Sequence, residues 1–260
     1  MFKICVLAST SKGNSTFIRI KDTTFLIDAG ISAREISKRI REIGEKVSDL
    51  SGIIISHEHN DHIKGIKALV KHNRIKCYLS DETFVKMKNK FRNIDIELIE
   101  IGKAFNLSSS SLEVIPYESS HDSIDPLVFR IDYNKIPLIG FITDCGFLNT
   151  YLIDGFRGVK ILFIESNHSF DHLLRSTYPE FLKVRILGRK GHLSNWAAGE
   201  FIYEVKPQIA ILGHISEENN SPEEALAEIE TVLAAKERFN LPFLVVSSNS
   251  SRSPVIKGKL

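Results

Sequence analysis

Through the first half of the chain, short apolar or β-branched runs alternate with turn residues, at positions 3–7, 16–20, 24–28, 52–56 and 76–79. Runs of that length and composition predict strands. Between them, residues 33–43 and 63–71 carry apolar side chains at helical spacing with charges opposite, the pattern of amphipathic helices lying on a sheet. A second group of strands is predicted at 112–117, 127–133, 138–143 and 159–165, with helices at 195–205 and 222–238 and final strands at 209–213 and 243–247. Pro222 after Ser221 is a start signal for the later helix. Two strand-rich halves, each closed by helices, fit two packed sheets with helices on the outer faces. No Pro- or Gly-rich linker separates them and no solenoid-type repeat is present, so one domain spanning 1–260 is expected. The serines at 108–111 and the stretch 247–253 predict a solvated loop and a C-terminal tail.

Hydrophobic residues make up 43% and charged residues 25% of the 260, a balance that buries an ordinary core without disulfides or a partner. The 34 basic and 32 acidic residues leave a net charge of +2, far from the excess of a protein that coats nucleic acid, so any polyanion contact must be a local patch. Cys5, Cys77 and Cys145 form no CxxC pair and read as reduced thiols rather than a disulfide framework. Residues 1–7 lack the features of a signal peptide, and no segment reaches the roughly 18 consecutive apolar residues of a membrane span. A soluble cytoplasmic protein with no membrane partner is expected.

Residues 53–62, IIISHEHNDH, run from a buried strand straight into three histidines and an aspartate. Imidazole and carboxylate are the donors that first-row divalent metals prefer, and such density at a strand end has little other use. Metal binding is therefore expected at His57, His59, Asp61 and His62. His57 and His59, two apart, can point at one ion, while Asp61 and His62 on the following turn are better placed to hold another. Two ions need a bridging carboxylate and further ligands from elsewhere, because Zn²⁺ or Mn²⁺ takes roughly four to six donors.

The layout HEHNDH, then His121, then Asp144 in FITDCG, then His214 in ILGHIS, resembles the metallo-β-lactamase superfamily over nearly the whole chain. The resemblance implies an α/β fold, the αβ/βα four-layer sandwich of two packed mixed β-sheets flanked by helices. It also implies two divalent ions: His57, His59 and His121 on one, Asp61, His62 and His214 on the other, bridged by Asp144. Asp28 in FLIDAG matches the superfamily's first motif, where the carboxylate supports ligand histidines from behind. Zn, Mn and Fe all suit these donors. The stretches ASTSKGNST, YPEFLKVRILGRKGHLSN and HISEENNSPEEA look like the YycJ (WalJ) subfamily, described as phosphodiesterases or double-strand DNA 5′ to 3′ exonucleases. His192 and His214 also resemble RNase Z, where the earlier histidine faces the scissile phosphate and the later one binds metal. Departures are Ser9, Thr10 and Ser11 in place of a Ser-Gly-Ser start, Asn60 in place of Gly, and Cys145 in place of Thr. None removes a ligand, and Cys145 reads as a small side chain filling a turn.

A water between two divalent ions loses its proton near neutral pH, and Asp61 is expected to orient the resulting hydroxide and accept its proton. His192, in a Gly-His-Leu-Ser turn before a helix, is expected to bind the phosphate oxygen or protonate the leaving oxygen. The free N–H groups of that helix start should attract an anion. Arg175, Lys183, Arg185, Arg189 and Lys190 against the single acid Glu180 make the approach to His192 basic, suited to backbone phosphates read without sequence. Ser194, Asn195, Arg189, Lys190, Asn219 and Asn220 are the candidate phosphate contacts. A second basic run, 86–92, reads as the polar face of a helix. His72, His168 and His172 carry no assigned role, although Asn167 and His168 follow a strand ending in Glu165. The expected activity is dinuclear metal-dependent hydrolysis of nucleic acid, DNA in the first place. A glyoxalase-II-like thioesterase or a lactonase, using the same ions on a carbonyl, is the alternative. Oligomeric state is left open.

Overall fold

The computed structural model describes residues 1–89, 93–107, 110–236, 242–246 and 252–260. The first sheet opens with β1 (Phe2–Thr10), β2 (Gly13–Ile20) and β3 (Thr23–Ile27), an antiparallel meander, and continues in parallel through β4 (Gly52–Ile54), β5 (Lys76–Leu79) and β6 (Ile96–Leu98). The second sheet repeats that plan. Strands β7 (Phe105–Asn106), β8 (Leu112–Glu118), β9 (Leu127–Tyr133) and β10 (Ile136–Ile142) are antiparallel, and β11 (Ile161–Glu165), β12 (Ile209–Gly213) and β13 (Phe243–Val246) follow in parallel. A last strand, β14 (Ile256–Gly258), returns to the first sheet and pairs antiparallel with β1.

Strand periodicity explains how the sheets are sandwiched. Phe25 and Ile27 face the apolar layer between the sheets while Leu26 faces outward; Ile53 points out and Ile54 in; Leu162 points out and Phe163 in. In the central layer the rings of Phe141 and Phe163 stack with centroids 4.3 Å apart, and truncating either to Ala would cost about 3–5 kcal/mol. On the outer face of the first sheet lie α1 (Ala33–Glu42) and α3 (Ile66–Asn73), with α4 (Asp81–Met87) beside them. On the second lie α5 (Thr150–Phe156), α8 (Asn195–Val205) and α9 (Pro222–Ala235). The result is the expected four-layer sandwich. Among the described residues, no helix is long and apolar enough to cross a membrane.

Three local expectations change. The helix expected at 63–71 is two pieces, α2 (Asn60–Ile63) and α3, because the Gly65 N–H bonds back to Ala29 O and a Cβ at Gly65 would overlap the Ile31 carbonyl. Asp61 and His62 are thereby carried on a helical turn. The expected tail is partly structural: Ser253 is buried, its Oγ accepts the Val6 N–H at 3.0 Å, and β14 follows it. Its residues 247–251 lie outside the described residues, as do 90–92 of the second basic run, 108–109 of the serine run and 237–238 of the last expected helix. Finally, the basic approach runs from the end of α6 (Phe170–Arg175) through α7 (Glu180–Leu187), and α7 lines the cleft with Leu182, Arg185 and Ile186.

Candidate metal centre

Every candidate ligand lies in a segment that leaves the carboxyl end of a strand, Asp61 and His62 on its first helical turn and the others in loops. After β3 the chain turns at Asp28, with φ +59°. Asp28 Oδ1 accepts the Ser56 N–H at 2.8 Å, and Oδ2 accepts from Ser56 Oγ at 2.8 Å and His62 Nδ1 at 2.7 Å. One buried carboxylate thus shapes the whole HEHNDH loop. Gly30 lets that loop close: a Cβ there would overlap the Asp61 carbonyl, so no larger residue fits. Asp144 after β10 and His214 after β12 also sit at positive φ, +48° and +53°. Three site residues in the left-handed region are a concentration of backbone strain that the surrounding structure must hold.

The structure brings all seven expected ligands together. His57, His59 and His121 each offer a ligand atom within 4.8 Å of one another; so do Asp61, His62 and His214; and Asp144 groups both with His57 and His62 and with His214. The imidazoles are oriented by their far nitrogens. His57 Nδ1 donates to Ser56 Oγ (2.9 Å), His62 Nδ1 to Asp28, His121 Nδ1 to Gly191 O (3.1 Å) and His214 Nδ1 to Glu165 Oε1 (2.6 Å). With Nδ1 so committed, each of these four turns its Nε2 toward the others. Two of those nitrogens, His57 Nε2 and His214 Nε2, are buried without a hydrogen-bond partner among the described residues. An unsatisfied buried polar atom costs about 1–3 kcal/mol, and a divalent cation would supply the missing partner. The donors fit a metal.

Charge follows geometry. Burial and the neighbouring His62 push the His57 imidazolium well below the usual histidine range, so the ring is neutral as a ligand must be. Burial opposes ionisation of Asp144, yet His214 and His62 hold its carboxyl well below the usual range. Asn14 Nδ2 donates to Asp61 Oδ2 (3.2 Å) and to Thr10 O (3.0 Å), tying the glycine loop to the metal loop.

The residue that sequence reasoning missed is Glu165, the fully buried last residue of β11. Its Oε1 accepts from His192 Nδ1 (2.7 Å) and His214 Nδ1 (2.6 Å), and its Oε2 accepts the N–H groups of Cys145 (3.0 Å) and Leu193 (3.3 Å). Burial would raise its pKa, but the charge and hydrogen bond of His192, joined by those of His214, bring it down to about 2. An acid closing a wholly apolar strand was the available signal. His192 lines the cleft with its side chain 21% exposed and its ring 5.1 Å from that of His121. With Nδ1 bound to Glu165, Nε2 is the nitrogen left for substrate.

Several expected substrate contacts belong to the scaffold instead. Asn195 and Asn219 are buried, and Asn195 exchanges hydrogen bonds with Ser166 Oγ and Asn220. Asn220 Nδ2 also donates to Ser166 O, and Ser194 Oγ accepts the Ala197 N–H. The polar atoms of Asn195 and Asn220 thus tie the segment after β11 to the start of α8 and to the residues before α9, and Ser194 caps α8. Two of the first α8 N–H groups are not free for an anion either, since that of Asn195 goes to His168 O and that of Ala197 to Ser194 Oγ. Lys183 is buried, donating to Leu174 O and Glu180, and so leaves the basic approach. Arg185 does line the metal cleft, where its Nε donates to Asp122 Oδ2 at 2.6 Å, while Arg189 and Lys190 line an adjoining cavity. Asn167 lines the cleft and donates to His214 O, whereas His172 pairs with Glu224 away from it. Cys145 is a buried turn residue whose N–H serves Glu165, as its size suggested.

A profile of the Beta-lactamase superfamily domain matches residues 23–215, a stretch that contains Asp28 and all seven candidate ligands. The chain belongs to the metallo-β-lactamase superfamily. Within it, the chain is 32% identical over 230 residues to exodeoxyribonuclease WalJ of Streptococcus pneumoniae, covering 85% of this chain and 84% of that protein. It is 30% identical over 235 residues to exodeoxyribonuclease YycJ of Bacillus anthracis, covering 89% of each. The solved metallo-β-lactamase fold protein YhfI of Bacillus subtilis superposes with a TM-score of 0.75 over 99% of both chains, at 15% identity, which shows the shared fold. As a superfamily member with this donor set, the chain is a metal-dependent hydrolase.

Proposed function

We propose that this metallo-β-lactamase protein is a phosphodiesterase that cuts nucleic acid, with DNA as the first substrate, using two divalent ions. The observation that carries the reading is His192, anchored by buried Glu165 beside the ligands His121 and His214. A sugar alkoxide is nearly as basic as hydroxide, whose conjugate acid has a pKa of ~15.7, so it leaves only if protonated. A thiolate, with a thiol pKa of ~8.5, needs no such help. An anchored imidazole at this place therefore favours an ester with an alkoxide leaving group over a thioester. Arg185 in the cleft, with Arg189 and Lys190 beside it, favours an anionic diester over a neutral lactone. The exodeoxyribonuclease relatives point the same way.

Ions held by His57, His59 and His121 and by Asp61, His62 and His214, with Asp144 between, would supply Lewis acidity, easing proton loss from water and neutralising charge on phosphoryl oxygens. The protein does the rest. Asp61, to which Asn14 donates, accepts the proton of the attacking water. Arg185 draws in a backbone phosphate. His192 delivers the proton from Nε2 to the leaving oxygen, while Glu165 at Nδ1 stabilises the imidazolium before transfer.

The test is the purified protein with Mn²⁺ or Zn²⁺ on bis-p-nitrophenyl phosphate, end-labelled duplex DNA, RNA and a glutathione thioester. Hydrolysis of duplex DNA and the phosphodiester is expected, and a His192→Ala protein that retains its metals should lose roughly 100-fold or more on DNA. Thioester cleavage with inert phosphodiesters would overturn the reading, and a full rate in His192→Ala would overturn the role of that side chain.

A further inference from the structure

Beside the metal cleft, and sharing His121 with it, lies a second cavity of about 230 Å³. Several of its lining side chains are arranged in a way that the metal chemistry does not use. Arg189 lays its guanidinium over the ring of Phe147, with Cζ 3.8 Å from the centroid, and Ser120 Oγ donates to Arg189 O at 2.6 Å, fixing this segment to the loop that carries His121. Tyr151 leans on buried Tyr117 with ring centroids 5.4 Å apart, yet remains 55% exposed. Arg189 and Lys190 make no ion pair among the described residues, and Glu118 is the single carboxylate in the lining. Ser123, also on the wall, has a hydroxyl without a partner among the described residues.

We infer that this cavity is a subsite for one terminal nucleotide of the substrate, its base stacked on Tyr151 and its phosphate held by Arg189 and Lys190. The inference rests on the phosphodiesterase reading and names what lies next to the scissile bond. A guanidinium already flattened against a ring has given up its rotamer freedom before a phosphate arrives. An exposed aromatic face braced from behind is what binds a base without regard to sequence. Size sets the limit of one unit, because pockets that enclose drug-sized ligands start at roughly 300 Å³. A site that seats one nucleotide beside the ions suits removal of nucleotides singly from an end.

The experiment compares binding of dAMP, deoxyribose 5-phosphate and inorganic phosphate to the Mn²⁺-loaded protein by calorimetry, in wild type, Tyr151→Ala, Tyr151→Phe and Arg189→Ala. Wild type should bind dAMP roughly tenfold more tightly than deoxyribose 5-phosphate, the range of one base stack. Tyr151→Ala should erase that ratio and Tyr151→Phe restore it, while Arg189→Ala should weaken both ligands alike. Equal binding of the two ligands by wild type, or a ratio that survives Tyr151→Ala, would overturn the subsite. If phosphodiesters are cut but the ratio is absent, the subsite falls and the phosphodiesterase stands. If the ratio is present but phosphodiesters resist, the reverse holds. All three substitutions are at exposed or part-exposed positions, and an unchanged thermal melt confirms folding.

Discussion

Replacing Glu165 by Gln changes one oxygen to an amide, yet it should damage two functions at once. The carboxylate accepts four hydrogen bonds, two from imidazoles at Oε1 and two from backbone N–H groups at Oε2. A glutamine can accept on one side only. If its oxygen faces His192 and His214, its NH₂ group meets the Cys145 and Leu193 N–H groups, donor against donor. Each such buried orphan costs about 1–3 kcal/mol, so the pair costs about 2–6 kcal/mol. For a chain of this size that is a fall in Tm of at least about 4 °C. If the amide flips, both imidazoles must present a bare Nδ1 and carry their proton on Nε2. His214 then turns an N–H instead of a lone pair toward the metal, and metal affinity should drop about 10- to 100-fold. In either orientation His192 loses the anion that stabilises its imidazolium, so turnover of a phosphodiester should fall by about 100-fold or more. Thermal denaturation, metal content after dialysis against a graded chelator, and single-turnover hydrolysis read the three effects separately. A Glu165→Gln protein with unchanged Tm, full metal content and a wild-type rate would refute the reasoning.

Other perturbations probe separate parts of the molecule. Asp28→Asn removes the anion that holds Ser56 and His62, and a metal titration should show about 10- to 100-fold weaker binding with folding retained. His168 is buried and its pKa is pushed down to about 4, chiefly by burial. Above the ordinary histidine value it is neutral whether folded or not; as pH falls from about 6.5 to 4 only the unfolded chain takes up the proton, so about 3 kcal/mol of stability is lost across that window. Urea titrations at stepped pH should show this slope in wild type and a flatter one in His168→Gln. Burial raises the thiol pKa of Cys5 and Cys145 and pushes Cys77 up to about 12, so on the order of one Cys77 in ten thousand is thiolate at pH 8. A thiol reagent should find no rapidly reacting cysteine in the native protein and all three after denaturation.

The metal chemistry was legible before any coordinates because it is a local matter. His57, His59, Asp61 and His62 fall on six consecutive positions, so their donor types and a common destination follow from the chain alone. Strand and helix periodicity is local in the same sense: 127–133, 195–205 and 209–213 are elements in the structure as the pattern predicts. His121, Asp144 and His214 needed the family resemblance, since nothing near each marks it as a ligand. Glu165 escaped even that, because its partners His192 and His214 lie 27 and 49 residues away and only the parallel register of β10, β11 and β12 brings their ends together. The same convergence reversed the reading of Asn195 and Lys183, polar residues in a polar stretch that proved to be buried against Ser166 and Asn220 and against Leu174 and Glu180. What a residue type can do is written in its own chemistry and its near neighbours. Whether it faces substrate, metal or a buried carboxylate is decided by elements distant in sequence, and burial then makes every unsatisfied polar atom too costly to leave to chance.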